Sequence, residues 1–498
     1  MTPGPDSASG WMVAHTEGPG PDEVLRPGET CWQIEAAERV ALLLDCADYF
    51  AAARQAMIRA RHSILLLGWD FDPRTRLQQY PTIAADGLPV AIGDLLNVLA
   101  ARRPALDIRV LVWDMSPLIA IGRDMSPRRA ASWFRDSAVR YRLAAATAGA
   151  CHHQKLLVID DAIAFCGGGD FAIDRWDTPR HPDHDPRRRQ PSGEEHPPRH
   201  EVMALVDGPA AAALGELARC RWQDATGQRP PSRSAAIGDP WPDAARPDLL
   251  AAPRIGIART MSPPDGQAVR ENEPLHLASI AAARRFIYLE NQYFSSSRIA
   301  AALAARLAEP EGPEVILMLS RRSPSFFDRM TMDPPRDMLV ARLHAADRHG
   351  RFHAYTPFTA GGSAITVHSK VTIIDDRLLR VGSSNLNNRS GGYDTECDLL
   401  IEAPAGPDGG RIEAAIRGFR DRLIAHFLGV DTVTMGRLTT QAGSLAQAIE
   451  TLNAGGGNRL RHLGPRRRPG PLGRLVARWH LGDPHGIEDA WRAWRRQA

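Results

Sequence analysis

Residues 153–160 read HQKLLVID, and residues 368–375 read HSKVTIID. A histidine, a lysine and an aspartate thus recur at one spacing, each time with a short apolar run between lysine and aspartate. Both copies continue alike: six residues separate Asp160 from Gly167-Gly168-Gly169-Asp170, and six separate Asp375 from Gly382-Ser383-Ser384-Asn385. The flanks repeat as well. An alanine-rich helical pattern at residues 49–61 runs into the apolar stretch 63–68, as residues 276–285 run into 286–290. The run 108–113, IRVLVW, is answered by 314–319, EVILML, and helix-like segments at 128–146 and 338–348 precede the two motifs. Agreement in order and spacing argues for a duplicated unit. Apolar strands alternating with helices predict α/β layers with buried strands.

On an extended strand, residues i and i+2 face the same side. His153 and Lys155 then point together, as do His368 and Lys370. Two such halves set face to face gather two imidazoles and two ammonium groups around one point. A phosphodiester suits that arrangement, because fixed cations and donors act most strongly where charge grows in the transition state. One imidazole attacks phosphorus while the other protonates the leaving alcohol and then acts as base. Lys155 and Lys370 hold nonbridging oxygens as point charges, and Asn385 adds a hydrogen bond.

An attacking imidazole needs its far nitrogen oriented, commonly by a carboxylate. Glu201 in RHEVMALVDGP and Glu396 in YDTECDLLI each stand just before a strand-like run. The expectation pairs Glu201 with His153 and Glu396 with His368, each within its own half. Asp160, Asp170, Asp375, Ser383 and Ser384 are expected to support the site structurally. Trp69, Asp70, Asn291, Gln292 and Tyr293 follow strands that reach the same end of the cleft, and with Arg389 they form the expected substrate pocket. The scheme needs no cofactor and no metal. A zinc site at Cys151, His152 and Cys166 lacks the four-ligand grouping.

The repeat divides the chain into a loose leader (1–30), a first half (31–226) carrying an inserted Pro-, His- and Arg-rich loop (178–199), a linker (227–254), a second half (255–430) and a basic tail (431–498). Formal net charge is only +3, which does not favour nucleic acid as the partner. Residues 456–498 nevertheless hold ten arginines against Asp483, Glu488 and Asp489. Residues 472–480, LGRLVARWH, suit either an interfacial helix on anionic lipid or a helix packed back on the body. The six cysteines show no C-x-x-C spacing. No signal-like segment opens the chain and no apolar run is long enough to span a bilayer, so a cytoplasmic protein with peripheral membrane contact is expected.

The doubled pattern resembles the phospholipase D superfamily, whose members carry two HKD motifs in a pseudo-symmetric α/β core. The resemblance covers most of residues 40–430. It implies a duplicated α-β-α sandwich of two pseudo-symmetric halves with the active site between them. FCGGGDFAIDRWD, HEVMALVDGPA, FIYLENQYF and GSSNLNNRSGGYDTE look closest to the eukaryotic-type, phosphatidylcholine-cleaving branch. The resemblance makes His153 the nucleophile and His368 the general acid. It implies a glycerophospholipid substrate, with water or a small alcohol as acceptor, and a phosphohistidine intermediate. Hydrolysis to phosphatidic acid ranks first. A cardiolipin synthase-like phosphatidyltransferase, a nuclease and a noncatalytic lipid-binding module are the alternatives.

Overall fold

The structure, a computed structural model, describes residues 23–79, 82–116, 125–232, 238–262, 267–464, 470, 473, 475–476 and 479–486. The apolar runs become strands because they have no polar face to show to water. The first part of the chain contributes β1 (Gln33–Leu44), β2 (Ser63–Gly68), β3 (Asp107–Trp113), β4 (Arg140–Ala144), β5 (Leu156–Ile159), β6 (Ile163–Gly167), β7 (Arg199–His200) and β8 (Val202–Asp207). The second contributes β9 (Leu249–Met261), β10 (Val269–Arg270), β11 (Phe286–Asn291), β12 (Glu314–Leu319), β13 (Phe352–Pro357), β14 (Thr366–Val367), β15 (Val371–Ile374), β16 (Leu378–Gly382), β17 (Glu396–Glu402) and β18 (Leu460–His462).

β1 and β9 pair antiparallel and join the two parts into one mixed sheet. Outward from β1 the order is β8-β6-β5-β2-β3-β4; outward from β9 it is β17-β16-β15-β11-β12-β13-β18. β2, β3 and β4 run parallel, as do β11, β12 and β13, while β5–β6 and β15–β16 are antiparallel hairpins. Every residue of β2, β5, β6, β8, β11, β15, β16 and β17 is buried. Helices Asp45–Arg59, Gly208–Thr226, Asn272–Ala282, Ser297–Ala308 and Pro407–Leu428 alternate with the strands. This is an α/β fold built on a mixed sheet.

Three segments depart from expectation. Residues 128–146 hold only a short helix, Pro127–Ala130, started by the Ser126 side chain, and then a 3-10 turn before β4. In β4 the arginines Arg140 and Arg142 alternate with Tyr141 and Leu143, a period of two that suits a strand at the sheet edge. The inserted loop is ordered by its own ions: the buried Arg188 guanidinium donates to the Pro182 and Asp183 carbonyls and to Glu195 and Asp177. Asp183 then accepts from the backbone of Gly361 in the second half. In the tail region, helices Thr432–Ala442 and Leu445–Gly455 pack in series on Pro407–Leu428, and β18 pairs with β13. Residues 472, 474, 477 and 478 of the 472–480 segment lie outside the described residues, as do residues 1–22 of the leader. Among the described residues no helix is long and apolar enough to cross a membrane.

Candidate active site

The motif aspartates build turns. Asp160 and Asp375 each open a three-residue hairpin loop with φ of 56° and 55°, followed by Asp161 at 53° and Asp376 at 60°. Paired positive φ values belong to the tight turn that matches strand twist, and aspartate tolerates them better than most residues. The Asp160 carboxylate accepts the N–H groups of Arg61, His62 and Ser63, and Asp375 accepts those of Arg284, Arg285 and Phe286. Each thereby ties its hairpin to the start of the neighbouring central strand. The second aspartates anchor helices: Asp161 binds Arg219 and Asp376 binds Arg420, both contacts 2.7 Å.

Ahead of each hairpin the H-x-K segment is extended, and it pairs with the other half. The His153 N–H donates to the Thr395 carbonyl and the His368 N–H to the His200 carbonyl, both at 2.9 Å. The residue after each acceptor is a glutamate. His153 Nδ1 lies 2.9 Å from Glu396 Oε2, and His368 Nδ1 is hydrogen-bonded to Glu201 Oε2. The expected pairing within halves is therefore corrected to a crossed one. β6 touches β17 and β8 touches β16, so the strand starts bearing Glu201 and Glu396 face the opposite half. Gly168 makes room for the crossing, since a Cβ there would meet Glu201 Oε1 at 2.3 Å. At the matching position of the second copy stands Ser383, whose hydroxyl donates to Glu396; Ser390 donates to the other oxygen at 2.6 Å.

The side chains of His153 and His368 are 13% and 7% exposed. Among the described residues neither Nε2 has a hydrogen-bond partner. Burial lowers the proton affinity of both rings well below the usual imidazole range, and both lysines push in the same direction. Each ring thus feels the ammonium groups of both motifs, which marks the two copies as one site. Arg199 and Arg175 add to the effect at His368, whereas Asp170 and Asp394 oppose it at His153. Burial lifts Glu396 to about 8 and also raises Glu201. Lys370 is lowered to about 7, first by burial and then by Lys155 and Arg199, against Glu201.

Lys155 Nζ donates to the His153 carbonyl at 2.8 Å and lies 3.3 Å from Asp170 Oδ2; Lys370 Nζ donates to the His368 carbonyl. Asp170 also accepts the Trp69 N–H, which fixes the loop after β2. Asn385 and Ser384 are buried with Oδ1 and Oγ unpartnered. Of the expected pocket residues, Gln292 reaches the motif directly, its Oε1 being 3.5 Å from Lys370 Nζ, and it donates to the Tyr293 hydroxyl. Trp69 stacks on Trp113 with ring centroids 5.9 Å apart, and Asp70 faces Arg175. Asn291 braces the loop by accepting the Leu386 N–H. Arg389 is a brace as well, forked onto Asp394, which in turn accepts the Cys151 N–H.

Residues 277–412 match a family described as cardiolipin synthase, PLD-like domain. Phospholipase D A of Dictyostelium discoideum is 24% identical over 427 residues, covering 73% of this chain. Phospholipase D alpha 2 of Oryza sativa subsp. japonica is 25% identical over 520 residues, covering 75% of this chain and 63% of that protein. In these likenesses the chain is similar to members of the phospholipase D superfamily. It spans about a third of the Dictyostelium protein's length (33%). A solved structure, phosphatidylserine synthase of Haemophilus influenzae Rd KW20, shares the fold with a TM-score of 0.55 at 13% identity, over 89% of this chain and 93% of that one.

Several groups around this site escape the motif reading. Ser390 and Asp394 near Glu396, and Arg175 and Arg199 near His368, come from segments with no repeated spelling. The signal available was positional: two residues before each glutamate stand Arg199 in one copy and Asp394 in the other. That difference, with Arg175 beside His368 and Asp170 beside His153, makes the two histidines electrostatically unequal.

Proposed function

We propose that the protein transfers a phosphatidyl group from a glycerophospholipid through a histidine-linked intermediate, with an alcohol as the principal acceptor and water as the lesser one. The observation that carries this reading is the crossed pair of His–Glu contacts, with both Nε2 atoms unbonded and both lysines acting on both rings. The parallel strand orders on either side of β1–β9 support an ancestral duplication, with the site between its halves.

In the proposed cycle His153 Nε2 attacks phosphorus and the bond to the head-group oxygen breaks. That oxygen takes the proton from His368 Nε2. The acceptor hydroxyl then returns a proton to His368, its oxygen attacks phosphorus, and the nitrogen–phosphorus bond breaks. Lys155 and Lys370 hold the nonbridging oxygens, with Asn385 beside them. The full hydrogen-bonding of Glu396 by Ser383 and Ser390 supports His153 as the rigidly oriented attacking ring. The cations around His368 support its role as acid, because an imidazolium there gives up its proton readily.

Transfer is placed ahead of hydrolysis because the matched family is named for a synthase. The relatives named phospholipase D favour hydrolysis as the second reading, including its eukaryotic-type form. Exposed Phe326, Phe327, Met330 and Met338 suit a lipid surface. They belong to the segment whose Asp328 binds the Tyr293 hydroxyl beside Gln292.

The test is incubation with phosphatidylcholine, phosphatidylethanolamine and phosphatidylglycerol vesicles, and separately with single-stranded DNA, with and without a primary alcohol. Head-group exchange, or cardiolipin from phosphatidylglycerol, exceeding phosphatidic acid is the expected result. Phosphatidic acid alone supports the hydrolytic reading, and cut DNA with intact lipid overturns both.

A further inference from the structure

Behind the His368–Glu201 pair lies a group of side chains that the reaction scheme leaves unused. Asp45 begins helix Asp45–Arg59, His181 sits in the inserted loop, His200 is on β7, and His426 is near the end of helix Pro407–Leu428. Each offers a ligand atom, and these atoms all lie within 4.8 Å of one another. The His200 and His426 rings are 4.7 Å apart, and those of His181 and His426 5.6 Å. Asp45, His181 and His200 are 1%, 3% and 0% exposed.

Their hydrogen-bond inventory does not close. Asp45 Oδ2, His181 Nε2 and both ring nitrogens of His426 are buried without a hydrogen-bond partner. Asp45 Oδ2 and His181 Nε2 face each other at 3.5 Å. The carbonyls of Leu423 and Arg422 lie near the His426 ring, but no aligned hydrogen bond forms. So many unpaired polar atoms in one buried spot are unfavourable unless something satisfies them together.

The outward-facing nitrogens, by contrast, are held. His181 Nδ1 lies 2.9 Å from Asp177 Oδ2, and His200 Nε2 lies 3.0 Å from Glu290 Oε2. A carboxylate on the far nitrogen fixes the tautomer and leaves a lone pair on His181 Nε2 inside the cluster, while His200 Nδ1, also inside it, lies 3.0 Å from Asp45 Oδ1, a contact that a bound cation would replace. Metal-ligating histidines are supported in this way.

We propose that Asp45, His181, His200 and His426 bind one transition-metal ion of the zinc class. Three imidazoles and a carboxylate suit zinc in tetrahedral coordination. Donors at about 2.0–2.2 Å from a common ion stand roughly 3.4 Å apart, so binding draws the observed cluster modestly together. All four positions come from protein, which makes the site structural. The ion joins the inserted loop, the first-half helix and the long second-half helix. It also bears on the reacting groups: Asp45 Oδ1 accepts the Glu201 N–H at 2.9 Å, and the His200 carbonyl accepts the His368 N–H. It thus positions the His368–Glu201 pair without touching substrate, whichever acceptor reaction the protein performs.

The full chain is equilibrated with Zn2+, desalted and assayed for bound metal, and in parallel loaded with Co2+ for its visible spectrum. One Zn2+ per chain is expected, with the strong visible bands of four-coordinate cobalt. Both signals should be lost in His426→Gln and His181→Gln, with the fold checked by circular dichroism, and kept in His153→Ala. Zn2+ should raise the melting temperature of the wild type by mass action and leave that of His426→Gln unmoved. Wild type that retains no Zn2+ and shows no cobalt bands overturns the proposal. So does binding that survives both substitutions or vanishes with His153→Ala. If either variant fails to fold, the wild-type cobalt spectrum and melting shift decide.

Discussion

His153 Nδ1 sits 2.9 Å from Glu396 Oε2, although 243 residues separate them in the chain. With His368 held by Glu201 in the mirror arrangement, neither motif histidine takes its carboxylate from its own half. Glu396→Gln and Glu201→Gln should therefore each cut kcat by about 10²- to 10⁴-fold, the range for removing a carboxylate that orients a catalytic imidazole. Steady-state head-group release measures this, and a variant close to wild type in kcat would contradict the assigned role.

Lys370 predicts a pH dependence. Burial and the neighbouring cations lower it to about 7, so in the free protein its ammonium is lost as pH rises through that value. A neutral amine no longer attracts phosphate, and kcat/KM should fall on the alkaline side with a midpoint near there. Lys370→Arg keeps the charge throughout. Its peak activity should be lower, because the fork geometry differs, but its alkaline midpoint should move up toward the value of about 8 held by Glu396. An unchanged alkaline limb would remove Lys370 from the account.

The helix anchors predict stability rather than activity. Arg420 and Asp376 are both almost fully buried and meet at 2.7 Å, and burial holds Asp376 above its ordinary range despite the arginine. Removing only this arginine leaves the buried carboxylate with the more exposed Arg417 at 3.5 Å and Arg285 at 3.8 Å, at a cost of up to about 3–5 kcal/mol. Arg420→Met should lose about that much in urea unfolding. The double variant Asp376→Asn/Arg420→Met should recover part of the loss, asparagine being tolerated at the positive φ of Asp376. Additive losses would show that the pair is not coupled.

These relationships differ in how far the sequence announces them. β2 and β12 could be read to the residue, because each is a short apolar run without a polar face. The motif residues were legible because two copies share one spelling. The carboxylate pairing was not, since spacing orders residues along one half and says nothing of which strand start faces which cleft wall. Residues 128–146 misled because Arg140 and Arg142 lie on the solvent side of an edge strand, where their long side chains also suit a helix. The place of Arg389 in NNRS suits either a loop-fixing or a phosphate-adjacent cation, and its fork onto Asp394 depends on a turn that spacing does not reveal.

The apolar knob predicts how lipid is met. Phe326 and Phe327 are 76% and 65% exposed. Burying each in an interface contributes about 1.5–3 kcal/mol, so Phe326→Ser/Phe327→Ser should weaken vesicle binding by roughly 10²-fold or more. Turnover of a short-chain monomeric substrate should be unchanged. Equal loss on both substrates would place the phenylalanines in the fold instead of at a membrane.

The central claim is that two imidazoles from opposite halves act on one phosphorus atom. Its most direct measurement is acid-free quenching of Glu201→Gln, in which breakdown of the intermediate is slowed, followed by peptide mass spectrometry at alkaline pH. The account predicts a phosphatidyl adduct on the peptide containing His153, absent in His153→Ala. An adduct on His368 would reverse the two roles, and turnover in His153→Ala with no adduct on either histidine would contradict the mechanism.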